Sequence, residues 1–527
     1  MARAPILIGI DAGTSVMKSV AFTTDGEQIA VAARKNSYVC VEDGGVEQDM
    51  TATWADAVAT LQDLTAQLGH RAAAIVAVAI TGQGDGTWLI DAGGKPVGPA
   101  WLWLDARGGC IARDFAASER HHAHYKHTGT GINTCQQSVQ MLVMKQRHPE
   151  QLTRATTAFH CKDWLYFNMT GVRATDPSEA SFTFGDFRTR RYSDAVIANL
   201  GLCDEARLLP PIVDGRTQSH PLTREIADLT GLPDGVPVVL GYVDIVATGV
   251  GSGLVGETPG TGCSILGSTG VHMRHVRSAD DVVLNSMRSG YVMPLPTGDG
   301  LVQFQSNMAA TLNIDWIVGL AWKFLQSEGV ERDRGQLMAH LDDRVLAARA
   351  VSAIYHPYIS EAGERGPFME PLARAQFTGL HQAASFDDLM RAVFEGLAFA
   401  ARDCFEGAGG VPPAITLTGG AARSRAMRLF LASALGCPVR NVEREEAGAA
   451  GAAMIAAVSC GIYGSIEECT AVWTRDRLSE PTLPDAALAP LYDEAFGLYR
   501  DIREQLPPIW TRLAALHDLA NRAGRAD

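Results

Sequence analysis

Several short stretches carry residues whose types and spacing could do chemistry. "GIDAGTSVMKS" ends an apolar run on Asp11 and follows it with Gly13, Thr14 and Ser15. Successive backbone N–H groups in such a turn form an anion-binding nest, and the hydroxyls add donors for phosphate oxygens. Asp11 at its edge would hold a magnesium ion through water, because Mg2+ keeps its waters and takes few carboxylates plus nucleotide phosphates. A plain hairpin turn with a surface aspartate fits this motif alone equally well. "GSTG" repeats the device with Gly267, Ser268 and Thr269. "TGGAARSR" places Gly419 and Gly420 at a helix start, where bare backbone approaches a base or ribose closely. Arg423 or Ser424 there could read a purine edge; a simple strand–helix connection is the alternative.

The carboxylates pose a different question. In "VPVVLGYVDIVATGVGSG", Asp244 follows a strand and precedes small residues. An isolated buried carboxylate costs several kcal/mol, so it serves either as a general base for an attacking hydroxyl or as a helix N-cap. "TGQGDGTWLID" has the glycines of a phosphate cradle, yet Asp85 in its middle would repel phosphate. The motif alone leaves open what Gln83 and Asp85 face. "PAWLWLDARGG" combines Trp101 and Trp103 with Asp105 and Arg107, a set that packs on C–H faces and bonds hydroxyls. Core tryptophans beside a surface Asp–Arg pair are the bland reading.

These residues need elements to hold them. At 527 residues the chain exceeds one ordinary core. Strand, tight turn and strand open the sequence and recur over residues 260–273, and the glycine-ended strand near residue 82 recurs at 419–420. The same order in each half predicts two α/β domains of related plan, meeting near residues 245–256. Helical periodicity marks residues 55–68, 389–405 and 427–435, and continues from 487 to the end with a break at Pro507 and Pro508.

A net charge of −14 and a pI near 5.5 argue against nucleic acid or an anionic membrane as partner. The ten cysteines form no CxxC pair and no zinc spacing, and the 14 histidines show no ligand spacing, which disfavours a metal-dependent hydrolase. The N-terminus reaches Asp11 too early for a signal peptide, and no apolar run approaches the roughly 20 residues of a membrane span. A cytoplasmic protein is expected.

Taken in order, these pieces resemble the FGGY family of carbohydrate kinases over residues 6–475. Also in family order are "KDWLYFNMTGVRATDPSEAS", "YHPYISEAGERGPF" and "RAVFEGLAFAARD". The resemblance implies an α/β fold of two actin-like (ribonuclease-H-type) ATPase domains with an interdomain cleft. Residues 1–255 would bind the acceptor, 256–485 the nucleotide, and 486–527 would form a helical extension. It implies ATP- and Mg2+-dependent phosphorylation of a sugar or polyol hydroxyl, with Asp244 as base. Asp11 and Thr14 would belong to the first phosphate motif, Gly267–Gly270 to the second, and Gly419, Gly420 and Ser424 to the nucleoside site. The family often forms homodimers and closes its domains over the substrates.

The departures bear on the acceptor. Xylulose kinases typically carry Gln-Met-His-Gly where this chain has Gln83-Gly84-Asp85-Gly86, and glycerol kinases an Arg-Glu pair where it has Gly84 and Asp85. Ile245 replaces the usual amide after the base. A carboxylate accepts hydrogen bonds and a hydroxyl donates them, so the resemblance sets Gln83 and Asp85 against the acceptor. A ketose carbonyl wants a donor that is missing at this position, though other residues could supply it. A reduced polyol is expected, and the motif set resembles the members acting on four-carbon erythritol. A pentulose kinase and a catalytically silent actin-like regulator are the alternatives.

Overall fold

The computed structural model describes residues 4–256 and 260–523. In the first lobe β1 (Ile6–Ala12), β2 (Val16–Thr23) and β3 (Gln28–Lys35) form an antiparallel meander. After α1 (Met50–Leu68), capped by the Asp49 carboxylate, β4 (Ile75–Gly82) runs parallel to β1. A long insertion then carries α2 (Cys161–Thr170) and α3 (Pro177–Phe184). The chain returns through β5 (His220–Pro221) to β6 (Pro237–Leu240), parallel to β4, giving the order β5-β6-β4-β1-β2-β3. Strands β1 and β4 read as nearly continuous apolar runs because both sheet faces are covered.

After α4 (Asp244–Gly251) the plan repeats. A meander of β7 (Gly262–Leu266), β8 (Gly270–Val276) and β10 (Leu301–Asn307) carries β9 (Tyr291–Pro294) on its outer edge. Helices α5 (Thr311–Ser327) and α6 (Phe386–Gly407) follow, then β11 (Ile415–Thr418) parallel to β7. Helix α7 (Arg425–Leu435) leads to β12 (Val439–Asn441), parallel to β11. The order β9-β10-β8-β7-β11-β12 matches the first sheet strand for strand, apart from one edge strand in each. The duplication expected from the glycine-ended strands is thus a repeat of topology.

The expected division at residues 255 and 256 separates the two repeats in sequence but not in packing. Helix α8 (Ala447–Ser459) follows the second repeat, yet lies on β1 and β4 of the first. It crosses α4 at glycines: a Cβ on Gly251 would stand 2.0 Å from the Ala447 carbonyl oxygen, and one on Gly451 1.9 Å from that of Ala247. Bare backbone is what allows that approach. One apolar core therefore joins Leu7, Phe22 and Val239 to Met273, Val302 and Met454.

Nor does the expected extension 486–527 stand apart. Helix α9 (Leu488–Gln505) buries Tyr492, Phe496 and Tyr499 in the second-lobe core with Phe399 and Phe430. Helix α10 (Pro507–Ala523) lays Trp510 on Phe368. The double proline starts this helix, where a missing N–H costs nothing. No helix among the described residues is long and apolar enough to cross a membrane.

Candidate active site

Between the lobes lies a cavity of about 280 Å³, at the small end for a ligand site. Thr14, Asp85, Trp103 and Asp244 line it from the first lobe, and Tyr291 and Arg365 from the second. Asp244 is the first residue of α4, after the buried strand β6 and the turn 241–243. Val243 holds the N-cap position and Asp244 is the first helical residue, so the N-cap alternative does not describe it. Burial, and then the Asp11 charge, push the Asp244 carboxyl up to about 7. Burial raises Asp11 to about 6 against the pull of Lys18, and raises Asp85 to about 6 against the pull of Arg365. No hydrogen bond from a described side chain reaches Asp11 or Asp244.

Behind Asp244 sits a buried network built from "CKDW" and "TDPSE". Lys162 Nζ stands 2.8 Å from Asp163 and 2.7 Å from Asp176, all three inaccessible to solvent. His160 and Asp163 form a reciprocal cap at the start of α2, and Asp176 caps α3. Asp176 also bonds the Ser178 hydroxyl, whose oxygen accepts the Val243 N–H at 3.1 Å. Lys162, Asp176 and Ser178 therefore fix the backbone one residue before Asp244. Glu179 closes the network 3.4 Å from His160; neither carboxyl oxygen has a hydrogen-bond partner, and burial pushes the group far up.

Asp85 is held by shape. Its backbone is left-handed at φ 55°, and Gly86 follows at φ 76°. A Cβ on Gly84 would meet Val243 Cγ2 at 2.5 Å, and one on Gly86 the Trp101 carbonyl oxygen at 2.5 Å. These glycines let the loop pack on the protein. Asp85 Oδ1 is buried without a hydrogen-bond partner, and Oδ2 is reached only by Cys135 Sγ at 3.6 Å.

The other expected site residues divide. Thr14 Oγ1 accepts from Trp103 Nε1 at 2.7 Å and donates to Gln83 Oε1 at 3.0 Å. Gln83 is buried behind Thr14, bonded on to Gln48, and positions the turn without lining the cavity. Asp105 and Arg107 depart from expectation. Arg107 pairs with Asp105 and Glu47, its guanidinium lies 3.4 Å over the Trp101 ring, and Asp105 also accepts the Val46 N–H. Two carboxylates and an aromatic face satisfy that guanidinium, and neither residue reaches the cavity.

Thr269 lines the cavity opposite Thr14, while the carbonyls of Gly267 and Ser268 accept N–H groups at the start of α5. Gly13 and Ser15 carbonyls receive the side chain and backbone N–H groups of Asn36. Gly419, at φ 90°, packs on Leu266 at the end of β7, and Gly420 faces open space. Ser424 caps α7 and bonds Asp342. These three lie beside the second turn and outside the cavity.

Sequence reasoning missed the second-lobe wall. Arg365 lies in "GERGPF", to which the resemblance gives no residue role, and nothing in the sequence singles out Tyr291. Arg365 brings from the second lobe a donor that is missing at Gly84 and Asp85.

The FGGY family of carbohydrate kinases, N-terminal domain, matches residues 6–251, and the C-terminal domain of that family matches residues 260–460. The chain is 50% identical over 513 residues to the erythritol kinase of Brucella abortus (strain 2308), covering 97% of this chain and 98% of that one. It is 27% identical to the glycerol kinase of Rhodospirillum rubrum, covering 93% and 97%. The crystal structure of xylulose kinase from Rhodospirillum rubrum superposes with a TM-score of 0.85 at 24% identity, covering 96% of this chain and all of that one.

Proposed function

The chain belongs to the FGGY family of carbohydrate kinases, and from that premise we propose that it transfers the γ-phosphate of ATP to a terminal hydroxyl of erythritol. The observation that carries the reading is half-buried Asp85, whose Oδ1 is buried without a partner in the wall of a small cavity that Asp244 also lines. A polyol hydroxyl supplies the proton that such an oxygen lacks.

In this reading Asp244 accepts the proton of the terminal hydroxyl as that oxygen attacks the γ-phosphorus in line with the departing ADP. A base poised near 7 is ionised over the upper physiological range, so turnover rises with pH through that value. Thr14 and Thr269 stand on turns from opposite lobes, where the Thr269 hydroxyl and the backbone N–H groups of the turns donate to the phosphates. Trp103 and Gln83 hold the Thr14 hydroxyl in place.

The residues around Asp11 fit a magnesium ion. Two half-buried carboxylates, Asp11 and Asp244, lie close enough for the charge of Asp11 to raise Asp244, no side-chain donor reaches either, and hard oxygen ligands suit this cation. A Cβ on Gly448 would stand 2.5 Å from Asp11 Oδ2, so the glycine keeps that space open. When bound, the ion would offset the charge of the phosphates.

A pentulose acceptor is the second reading, favoured by one observation: Arg365 supplies a donor that a ketose carbonyl would use. A coupled ADP-release assay over erythritol, glycerol, ribitol, D-xylulose and D-ribulose separates the two. Erythritol should show the highest kcat/KM; a ketose ahead by about tenfold or more rejects the polyol assignment.

A further inference from the structure

Arg365 enters the cavity on the loop that follows the short strand Ile354–His356. Glu364 anchors that loop, its carboxylate accepting the N–H groups of Met308 and Arg365, each at 2.9 Å. The guanidinium donates to Ser306 Oγ at 2.8 Å and lies 5.9 Å over the Trp103 ring, so it bridges the lobes. Its Nε is buried and bonds nothing. Asp85 Oδ1 on the other lobe is also buried and unpartnered. Two unsatisfied groups of opposite kind in one cavity require a shared ligand atom, and an alcohol oxygen both donates and accepts. Beside them Tyr291 stacks on Phe304 at 4.8 Å, an apolar wall suited to C–H faces.

We propose that Arg365 is a specificity-determining residue which, together with Asp85, binds the hydroxyl at the end of the acceptor remote from the phosphorylated carbon. The contact comes from the second lobe, so an acceptor long enough to reach it completes a bridge across the cleft. The proposal rests on the polyol-kinase reading and adds to it a means of measuring chain length. Glycerol, one carbon shorter, leaves Arg365 Nε and Asp85 Oδ1 unsatisfied.

The test compares erythritol, glycerol and butane-1,2,3-triol as acceptors. The triol keeps the four carbons and can lack the remote hydroxyl. In the unmodified protein the triol should fall to the level of glycerol in kcat/KM; a triol used as well as erythritol overturns the proposal. Arg365→Ala should lower kcat/KM for erythritol about a hundredfold and that for glycerol less than about threefold, with Arg365→Lys between them. The KM for ATP should stay within about twofold. Equal losses on both acceptors overturn the assignment. If the unmodified protein prefers a ketose, the substrate reading fails, while the same comparison between that ketose and its terminal deoxy analogue still tests Arg365.

Discussion

Two sets of charges stand back to back across the segment Gly84 and Val243. Behind it, Lys162, Asp163, Asp176, His160 and Glu179 are buried, and the lysine is shared between two carboxylates. In front, Asp85 and Asp244 line the cavity and the Asp11 charge acts on Asp244, with no ion pair among the described residues to Asp11 or Asp244. Burial raises acids in both sets, but behind the segment Lys162 and His160 outweigh it and hold Asp163 at about 2, whereas Asp244 is left at about 7. In the rear set Lys162, Asp163 and Asp176 spend their charge on one another and on holding backbone, while Glu179 makes no hydrogen bond and is pushed up by burial; the front set keeps its charge for a ligand. Burial alone does not distinguish a structural acid from a reactive one. The supply of counter-charge does.

Removing the counter-charge should break the contrast most severely. Lys162→Met leaves Asp163 and Asp176 facing each other in the interior and should cost about 3–5 kcal/mol in denaturant unfolding. A loss below about 1 kcal/mol would show that the lysine is not what neutralises them. Removing a front acid should act on the ligand instead. Asp85→Asn should raise the acceptor KM at least about tenfold and leave the ATP KM unchanged; equal effects on both place Asp85 outside the acceptor pocket.

The same variant carries a stability test. The native Asp85 carboxyl, raised to about 6, holds its proton over a pH range in which the unfolded chain, near 3.8, has lost it. The acid therefore destabilises progressively as pH rises from about 4 to about 6. Relative to the unmodified protein, Asp85→Asn should melt higher at pH 8 than it does at pH 4, and an offset independent of pH would contradict the assignment. Smallest of all, Arg107→Lys should move the acceptor KM less than about threefold, because Arg107 serves Asp105, Glu47 and Trp101. A larger shift would return it to the pocket.

Much of this was legible because local chemistry marks it. Carboxylates at strand ends followed by small residues pointed to Asp11 and Asp244, and glycine-ended strands in the same order pointed to the repeated sheet. What escaped is what depends on distant packing. "AGAAGAAM" in α8 is small and apolar all round, so its periodicity gives no direction and nothing in it says that it lies on the first sheet. The tryptophan, aspartate and arginine of "WLWLDAR" compose a sugar site and a stacked ion pair equally well; only Glu47, far off in sequence, decides for the pair. Arg365 and Tyr291 meet Asp85 through the closing of two lobes, which no window of sequence records.

The most direct measurement is phosphoryl transfer by Asp244→Asn, followed with pH and set beside calorimetric binding of ATP. With Asp244 as base, turnover of erythritol should fall about a thousandfold or more, the rise through pH 7 should vanish, and ATP affinity should stay within about twofold. Near-normal turnover, or a variant that keeps the same rise with pH, would contradict the account.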